Sequence, residues 1–258
     1  MSGYTSSSLL FGMVLLTIIL MVQYLGINPW WIAIPVALYL ALLITGSAAI
    51  GMNFYFRSLN RSSTKEKKIA LTFDDGPDGK VTEALMDLLE KYDAQAAFFC
   101  IGKNVMQFPE IVRKAVDKGH IIGNHSYTHH RWFDLFSAKR MAAEIKATNR
   151  EIERATGKTP ALFRPPYGVT NPSLKKAIQE TGMIPVGWSL RSFDTLGNKE
   201  KILKKLRRKT KPGKVVLFHD RGPELLQLME EYLRWLSEKD YKVVSLTELF
   251  NMEAYEVD

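Results

Sequence analysis

The stretch Ile69-Ala70-Leu71-Thr72-Phe73-Asp74-Asp75-Gly76-Pro77 decides how the rest of the chain is read. Its first five residues form a short apolar run that reads as a buried strand, and Gly76-Pro77 punctuates a turn. Two acids therefore stand at the end of a strand. Side chains alternate along extended backbone, so Asp74 and Asp75 cannot point the same way unless the chain turns there, and each can then take a different task. A surface turn is the plainer reading, because Asp-Gly-Pro is common in loops. What stands at the other strand ends decides between the two.

From Lys67 onward, apolar strand-like runs alternate with amphipathic segments. The runs are Ile69 to Phe73, Ala96 to Ile101, His120 to Gly123, Ala161 to Phe163, Met183 to Trp188, Val215 to Phe218 and Tyr241 to Leu246. The clearest amphipathic stretches are Ser137 to Thr156, Pro172 to Thr181, Lys199 to Arg208 and Glu224 to Lys239. Such alternation predicts the α/β class with a parallel sheet, open or closed into a barrel. In either geometry function collects at the carboxyl ends of the strands.

The preceding segment belongs to a different solvent. From Met1 to Phe56 there is no Asp, Glu, Lys, Arg or His, so the formal charge of +8 on 258 residues comes entirely from Arg57 onward. Leu9 to Leu25 and Trp30 to Ile50 are each long enough to cross a bilayer core of about 30 Å at about 1.5 Å per residue. Gly26-Ile27-Asn28-Pro29 connects them tightly, and Trp30 and Trp31 suit the membrane interface. The expectation is a transmembrane hairpin over 1–56, a basic linker over 57–66 and a folded domain over 67–258. A signal peptide fits the first span less well, since it lacks a basic leader and a second span follows at once. A single span with a re-entrant first segment is the other arrangement. The lone cysteine, Cys100, falls in an apolar run and rules out an intramolecular disulfide. Basic residues interleaved with acids on apparent helices are read as solvated faces, and no nucleic-acid partner is expected; the Lys204 to Lys211 cluster is the one feature in favour of such a partner.

Each strand end carries something polar. After His120 to Gly123 come His125 and His129, whose spacing lets both imidazoles converge on one ion or simply share a helical face. Phe163-Arg164-Pro165-Pro166-Tyr167-Gly168 sets an arginine in a proline-shaped loop, and Pro fixes the backbone there. Trp188 to Asp194 ends another run, and His219-Asp220 follows Val215 to Phe218. A histidine directly after a buried strand is poorly placed for the core and well placed for a cleft. Polar groups at five successive strand ends argue against the surface-turn reading of Asp74 and Asp75.

Thr72 to Pro77, His125 to His129, Arg164 to Tyr167, Trp188 to Asp194 and Leu217 to His219 resemble, in order, the five motifs of the polysaccharide deacetylase family, the NodB-homology domain of carbohydrate esterase family 4. The resemblance covers Lys67 to Leu249. It implies a distorted (β/α) barrel that removes N-acetyl or O-acetyl groups from sugars with a divalent metal, zinc by default. Carried onto this chain, it makes Asp75, His125 and His129 the metal ligands, Asp74 the catalytic base and His219 the general acid. Tyr167 would supply a backbone N–H to the developing oxyanion. Arg164 would orient the base and Asp194 would orient His219. Tyr167, Pro166, Trp188, Arg191 and Leu217 would meet substrate.

The fourth motif departs from the family's pattern, which has an acid where Arg191 stands and a tryptophan where Thr195 stands. That leaves the catalytic assignments intact but argues against a long polysaccharide substrate, and Arg191 could either meet an anionic group such as a phosphate or be a surface arginine in a loop. The expected function is a membrane-anchored hydrolase acting on a polysaccharide, a cell-wall glycan or a lipid-linked sugar, in a bacterial plasma membrane. An idle glycan-binding protein that keeps the metal cleft is the second reading. Arg57, Arg61, Lys65, Lys67 and Lys68, opposed only by Glu66, favour the cytoplasmic face, whereas the family resemblance favours the outside.

Overall fold

The computed structural model describes residues 2–222 and 224–256, so the outer limits of the expected division, Met1 and Asp258, lie outside the described residues. Among the described residues the strands are β1 (Lys68–Asp74), β2 (Ala96–Cys100), β3 (Ile121–Asn124), β4 (Leu162–Phe163), β5 (Ile184–Pro185), β6 (Leu190–Arg191), β7 (Val215–His219) and β8 (Lys242–Val243). They pair in the order β5-β4-β3-β2-β1-β7-β6, every named pair parallel, with β8 also beside β1. The two outermost strands, β5 and β6, are consecutive in sequence. The few residues between them bridge the gap that a flat sheet would leave, so the sheet curls into the expected distorted barrel.

The run Met183 to Trp188 therefore does not form one strand. Val186 N–H donates to Phe163 O on one side, and Ser189 N–H donates to Val215 O on the other. Leu190–Arg191 is a strand that the sequence pattern does not announce.

Both faces of the sheet are buried, which is why its strands read as continuous apolar runs. Ile69, Leu71 and Phe73 face the helical layer with Phe98 and Phe218. Phe73 stacks on both rings at 5.3 and 5.6 Å, and burying each such ring contributes about 1.5–3 kcal/mol. Ala70, Ala97, Phe99 and Val215 face the barrel interior instead. Strict alternation then brings Thr72, Asp74, Leu217 and His219 into that interior as well.

The helices are α1 (Gly3–Leu25), α2 (Ala33–Ala48), α3 (Gly79–Lys91), α4 (Gly102–Gln107), α5 (Pro109–Asp117), α6 (Ala138–Thr156), α7 (Pro172–Thr181), α8 (Lys199–Lys209), α9 (Glu224–Glu238) and α10 (Leu246–Phe250). α6 begins where Ser137 Oγ accepts from Arg140 N–H at 3.3 Å and ends at Gly157 in the left-handed region.

α1 and α2 form an apolar antiparallel pair held by Phe11 stacked on Tyr39 at 4.2 Å. α1, and α2 together with the 3-10 turn before it (Pro29–Ala48), are long and apolar enough to cross a membrane. Leu9, Leu16, Leu38 and Ile44 are exposed on them, so their outer faces have no protein cover. The base of the pair is fastened to the barrel. Thr170 N–H donates to Ser47 O at 2.9 Å and Thr170 Oγ1 to Gly46 O at 3.1 Å, which satisfies carbonyls at the end of α2. Residues after α2 then lie along the barrel, with Leu59 bridged to Val186 and Arg61 to Lys214.

Candidate active site

The chain turns sharply after β1, because Asp75 has φ of 77° while Asp74 still belongs to the strand. The neighbouring carboxylates are thereby separated. Asp74 points into the barrel and Asp75 toward the loop after β3. That loop is bent by left-handed residues of its own, Ser126 and His129. Glu144 of α6 secures it, its carboxylate accepting from Tyr127 N–H at 3.1 Å and Thr128 N–H at 2.8 Å.

One end of Asp74 is fixed by Arg164. The guanidinium is fully buried, and Nη1 donates to Asp74 Oδ1 at 2.7 Å and to Thr72 Oγ1 at 2.9 Å. Nε donates to Val186 O at 3.1 Å and Nη2 to Gly187 O at 2.9 Å, so each nitrogen has a partner. The Phe99 ring lies 4.2 Å from the guanidinium carbon. A buried charge so fully bonded acts as a rigid strut, and it leaves Asp74 Oδ2 facing the cleft.

The Asp75, His125 and His129 side chains each offer a donor atom within 4.8 Å of the others. His125 Nε2 lies 3.6 Å and His129 Nε2 3.5 Å from Asp75 Oδ1. His125 Nδ1 is 2.7 Å from Arg164 O, which can only accept, so Nδ1 carries a proton and Nε2 is the atom turned toward Asp75. Burial, then the neighbouring His125, pushes His129 down to about 4, so His129 is neutral near pH 7. Burial alone would raise Asp75, but His125, His129, Arg221 and His219 hold it below the ordinary carboxylate value. A carboxylate and two imidazoles in one small space are the donor set of a catalytic divalent-metal site, so these residues fit such an ion.

His219 enters from β7. Its ring Nδ1 is 3.1 Å from Asp194 Oδ1, and its backbone N–H donates to Asp194 Oδ2 at 2.8 Å. Ser192 Oγ donates to the same carboxylate at 2.5 Å. Burial would lower the imidazole pKa, yet the Asp194 hydrogen bond and charge, with Asp74 and Asp75, raise it above the ordinary histidine value. Nδ1 is thus committed to Asp194 and Nε2 is the proton-carrying atom toward the cleft.

These groups share a cleft of about 350 Å³ lined by Asp74, Asp75, His125, His129, Tyr167, Gly168, Trp188, Arg191, Thr195, Leu217, His219 and Arg221. Tyr167 has φ of 59°, and its N–H has no backbone acceptor among the described residues. Gly168 has φ of 70°, and a Cβ there would lie 2.2 Å from Trp188 Cη2. Arg164 and Asp194 stand behind the lining and act on it through Asp74 and His219. Pro166 is buried and does not line the cleft, so it shapes the Tyr167 turn from beneath.

Arg221 is absent from the sequence expectations, although a charged residue two places beyond a strand end was the available signal; its Nη2 donates to Asp75 Oδ2. Asp220 is buried beside it, its N–H donating to Asp74 O and its Oδ2 accepting from Thr82 Oγ1 at 2.7 Å. Burial pushes its carboxyl up to about 7. A larger cavity of about 650 Å³ lies at the amino ends of the strands, but it holds no histidine and its Lys68 and Glu248 pair with each other.

Residues 61–186 match the family described as Polysaccharide deacetylase. A peptidoglycan-N-acetylglucosamine deacetylase of Bacillus cereus is 37% identical over 195 residues, covering 71% of each chain. The peptidoglycan-N-acetylmuramic acid deacetylase PdaC of Bacillus subtilis is 32% identical over 188 residues, which are 71% of this chain but 39% of PdaC. The solved structure of PdaC superposes with a TM-score of 0.67 at 30% identity, covering 76% of this chain and 93% of that one.

Proposed function

The chain belongs to the polysaccharide deacetylase family of carbohydrate hydrolases, and from that premise we propose that it is a membrane-anchored, metal-dependent enzyme that removes N-acetyl groups from a glycan sugar. The observation that carries the reading is the convergence of Asp74, His219 and the Asp75-His125-His129 cluster on one cleft. O-acetyl groups are the lesser alternative, since an ester leaves without needing the proton that His219 is placed to give.

Asp75, His125 and His129 would hold a divalent ion, zinc being one that two imidazoles and a carboxylate suit, and its chemistry when bound is to polarise the acetyl carbonyl and acidify a water. Asp74 would take that water's proton at Oδ2, the oxygen that Arg164 leaves free. The Tyr167 N–H would donate to the oxygen that gains charge as the amide carbon is attacked. His219 would then give the Nε2 proton to the departing amine, without which an amide leaves poorly, while Asp194 steadies the imidazolium. An idle glycan-binding role fits less well, because base and acid are both present and oriented.

The exposed apolar faces of α1 and α2 support membrane anchoring, because side chains such as Leu9, Leu38 and Ile44 would otherwise face water. The full chain, purified in detergent, should release acetate from N-acetylglucosamine oligomers, and chelation should abolish that release. Release that survives chelation would overturn the metal-dependent reading.

A further inference from the structure

Outside α1, α2 and their connection, and apart from Tyr167 in the cleft, the exposed large apolar side chains among the described residues are Met52, Met106, Trp132, Leu135, Phe193 and Leu196. Met52 lies at the base of the hairpin. Every other one stands on a segment that leaves the carboxyl end of a strand: Met106 after β2, Trp132 and Leu135 after β3, Phe193 and Leu196 after β6. Scattered exposed apolar residues need no explanation, but these ring the mouth of the cleft and leave the opposite end of the barrel bare of them.

Cations accompany the ring. The Arg131 guanidinium lies 5.4 Å from the Trp132 ring, Arg140 lies 3.5 Å from Phe136, and Arg191 and Lys205 lie 5.0 and 3.7 Å from Phe193. None of these four is ion-paired among the described residues, and each is instead held over an aromatic ring. The acids on the same rim segments are Asp134, Asp194, Glu200 and Glu144, the last of which is spent on Tyr127 and Thr128 of the loop after β3. Aromatic tips flanked by unpaired cations are the chemistry of a surface that meets anionic headgroups. Within the cleft, Arg191 lines the wall and has no carboxylate partner among the described residues, a cation for the phosphate that joins a sugar to a lipid.

The hairpin fixes where such a surface would be. α2 ends against Thr170, three residues beyond Tyr167 of the cleft, and Gly51 approaches Trp188 O. Asn60 packs on Gly187, where a Cβ would lie 2.0 Å from Asn60 Oδ1. The two apolar helices therefore leave the barrel at the same end as the cleft. The geometry points to a cleft end seated on the bilayer surface that the hairpin enters, with the apolar rim among headgroups, and to an N-acetylated sugar on a lipid carrier as substrate. The substrate half of this inference rests on the deacetylase reading; the seating half does not.

Spin labels test the seating without any activity. Cys100 is the only cysteine and is buried, so Leu135→Cys, Leu196→Cys and Asp117→Cys each give one labelled site. In proteoliposomes of phosphatidylglycerol and phosphatidylethanolamine, labels at 135 and 196 should be relaxed more by lipid-soluble oxygen than by a water-soluble nickel chelate. The label at 117, at the other end of the barrel, should show the reverse. Three water-exposed labels would overturn the seating. For the substrate, acetate release from a polyprenyl-diphosphate N-acetylglucosamine should show a KM at least tenfold below that for a soluble N-acetylglucosamine tetramer. The double variant Trp132→Ser, Leu196→Ser should lose that preference while its turnover of the tetramer is unchanged. Release from the tetramer alone would overturn the lipid-linked substrate and leave the deacetylase reading standing. Release from neither would remove both, and the labels would still decide the seating.

Discussion

Asp74 of β1 and His219 of β7 are register partners on adjacent parallel strands, and alternation turns both side chains into the barrel. Two titratable side chains on one rung reach the same small volume without any loop having to hold them together, which suits the proposed base and acid. Replacing either should therefore cost rate with little change in fold. His219→Ala should lower acetate release by about 10²–10⁴-fold, the usual worth of a positioned proton-transfer group, with unchanged circular dichroism. Release within a few fold of wild type would remove His219 from proton transfer.

Arg164 should be worth more to the fold than its single ion pair implies. Arg164→Ala strands the buried Asp74 carboxylate and frees two backbone carbonyls, so urea unfolding should show a loss of about 3–5 kcal/mol. Arg164→Lys should recover only part of it, because an ammonium cannot reproduce the planar fork.

The pH profile of acetate release should report the Asp194-His219 pair. Burial works to lower the His219 pKa, but Asp194 and the cleft carboxylates win and raise it. The proton-donating form is therefore populated below that raised value and is lost as pH rises through it. Asp194→Asn removes the main upward influence, so the alkaline limb of kcat should move to lower pH. An unmoved limb would mean that it reports another group.

The Gly168-Trp188 contact makes a packing prediction. Gly168→Ala meets both a left-handed backbone and the Trp188 ring, and should destabilise by about 1–3 kcal/mol. Adding Trp188→Ala should return part of that loss in a double-mutant cycle, whereas strictly additive losses would show that the ring is not the obstacle.

Much of this was legible in the chain itself. Strands buried on both faces read as unbroken apolar runs, and α7 spans Pro172–Thr181 as the periodicity predicts, because Asn171 caps it and Gly182 ends it. Asp74, His125 and His219, which line the cleft, were legible through their position at strand ends. β6 was not, because Leu190 and Arg191 lie beyond the apolar run that ends at Trp188 and two residues carry no period of their own. Pro166 was read as a substrate contact from its motif, yet its place beneath Tyr167 depends on how the turn folds. Glu144 sits on an ordinary amphipathic helix, and nothing local marks it as the clasp of the His125-His129 loop. The seating of Thr170 on the end of α2 joins residues more than a hundred apart, and such contacts leave no trace in spacing.

The division of labour between Asp74 and Asp75 is the centre of the account, and Asp74→Asn tests it most directly when metal content and acetate release are measured on the same sample. The purified variant should keep the metal content of the wild type, since Asp75, His125 and His129 are untouched. Its acetate release from N-acetylglucosamine oligomers should fall by about 10²–10⁴-fold. Release close to wild type, or metal lost together with activity, would contradict the assignment of proton transfer to Asp74 and metal holding to Asp75.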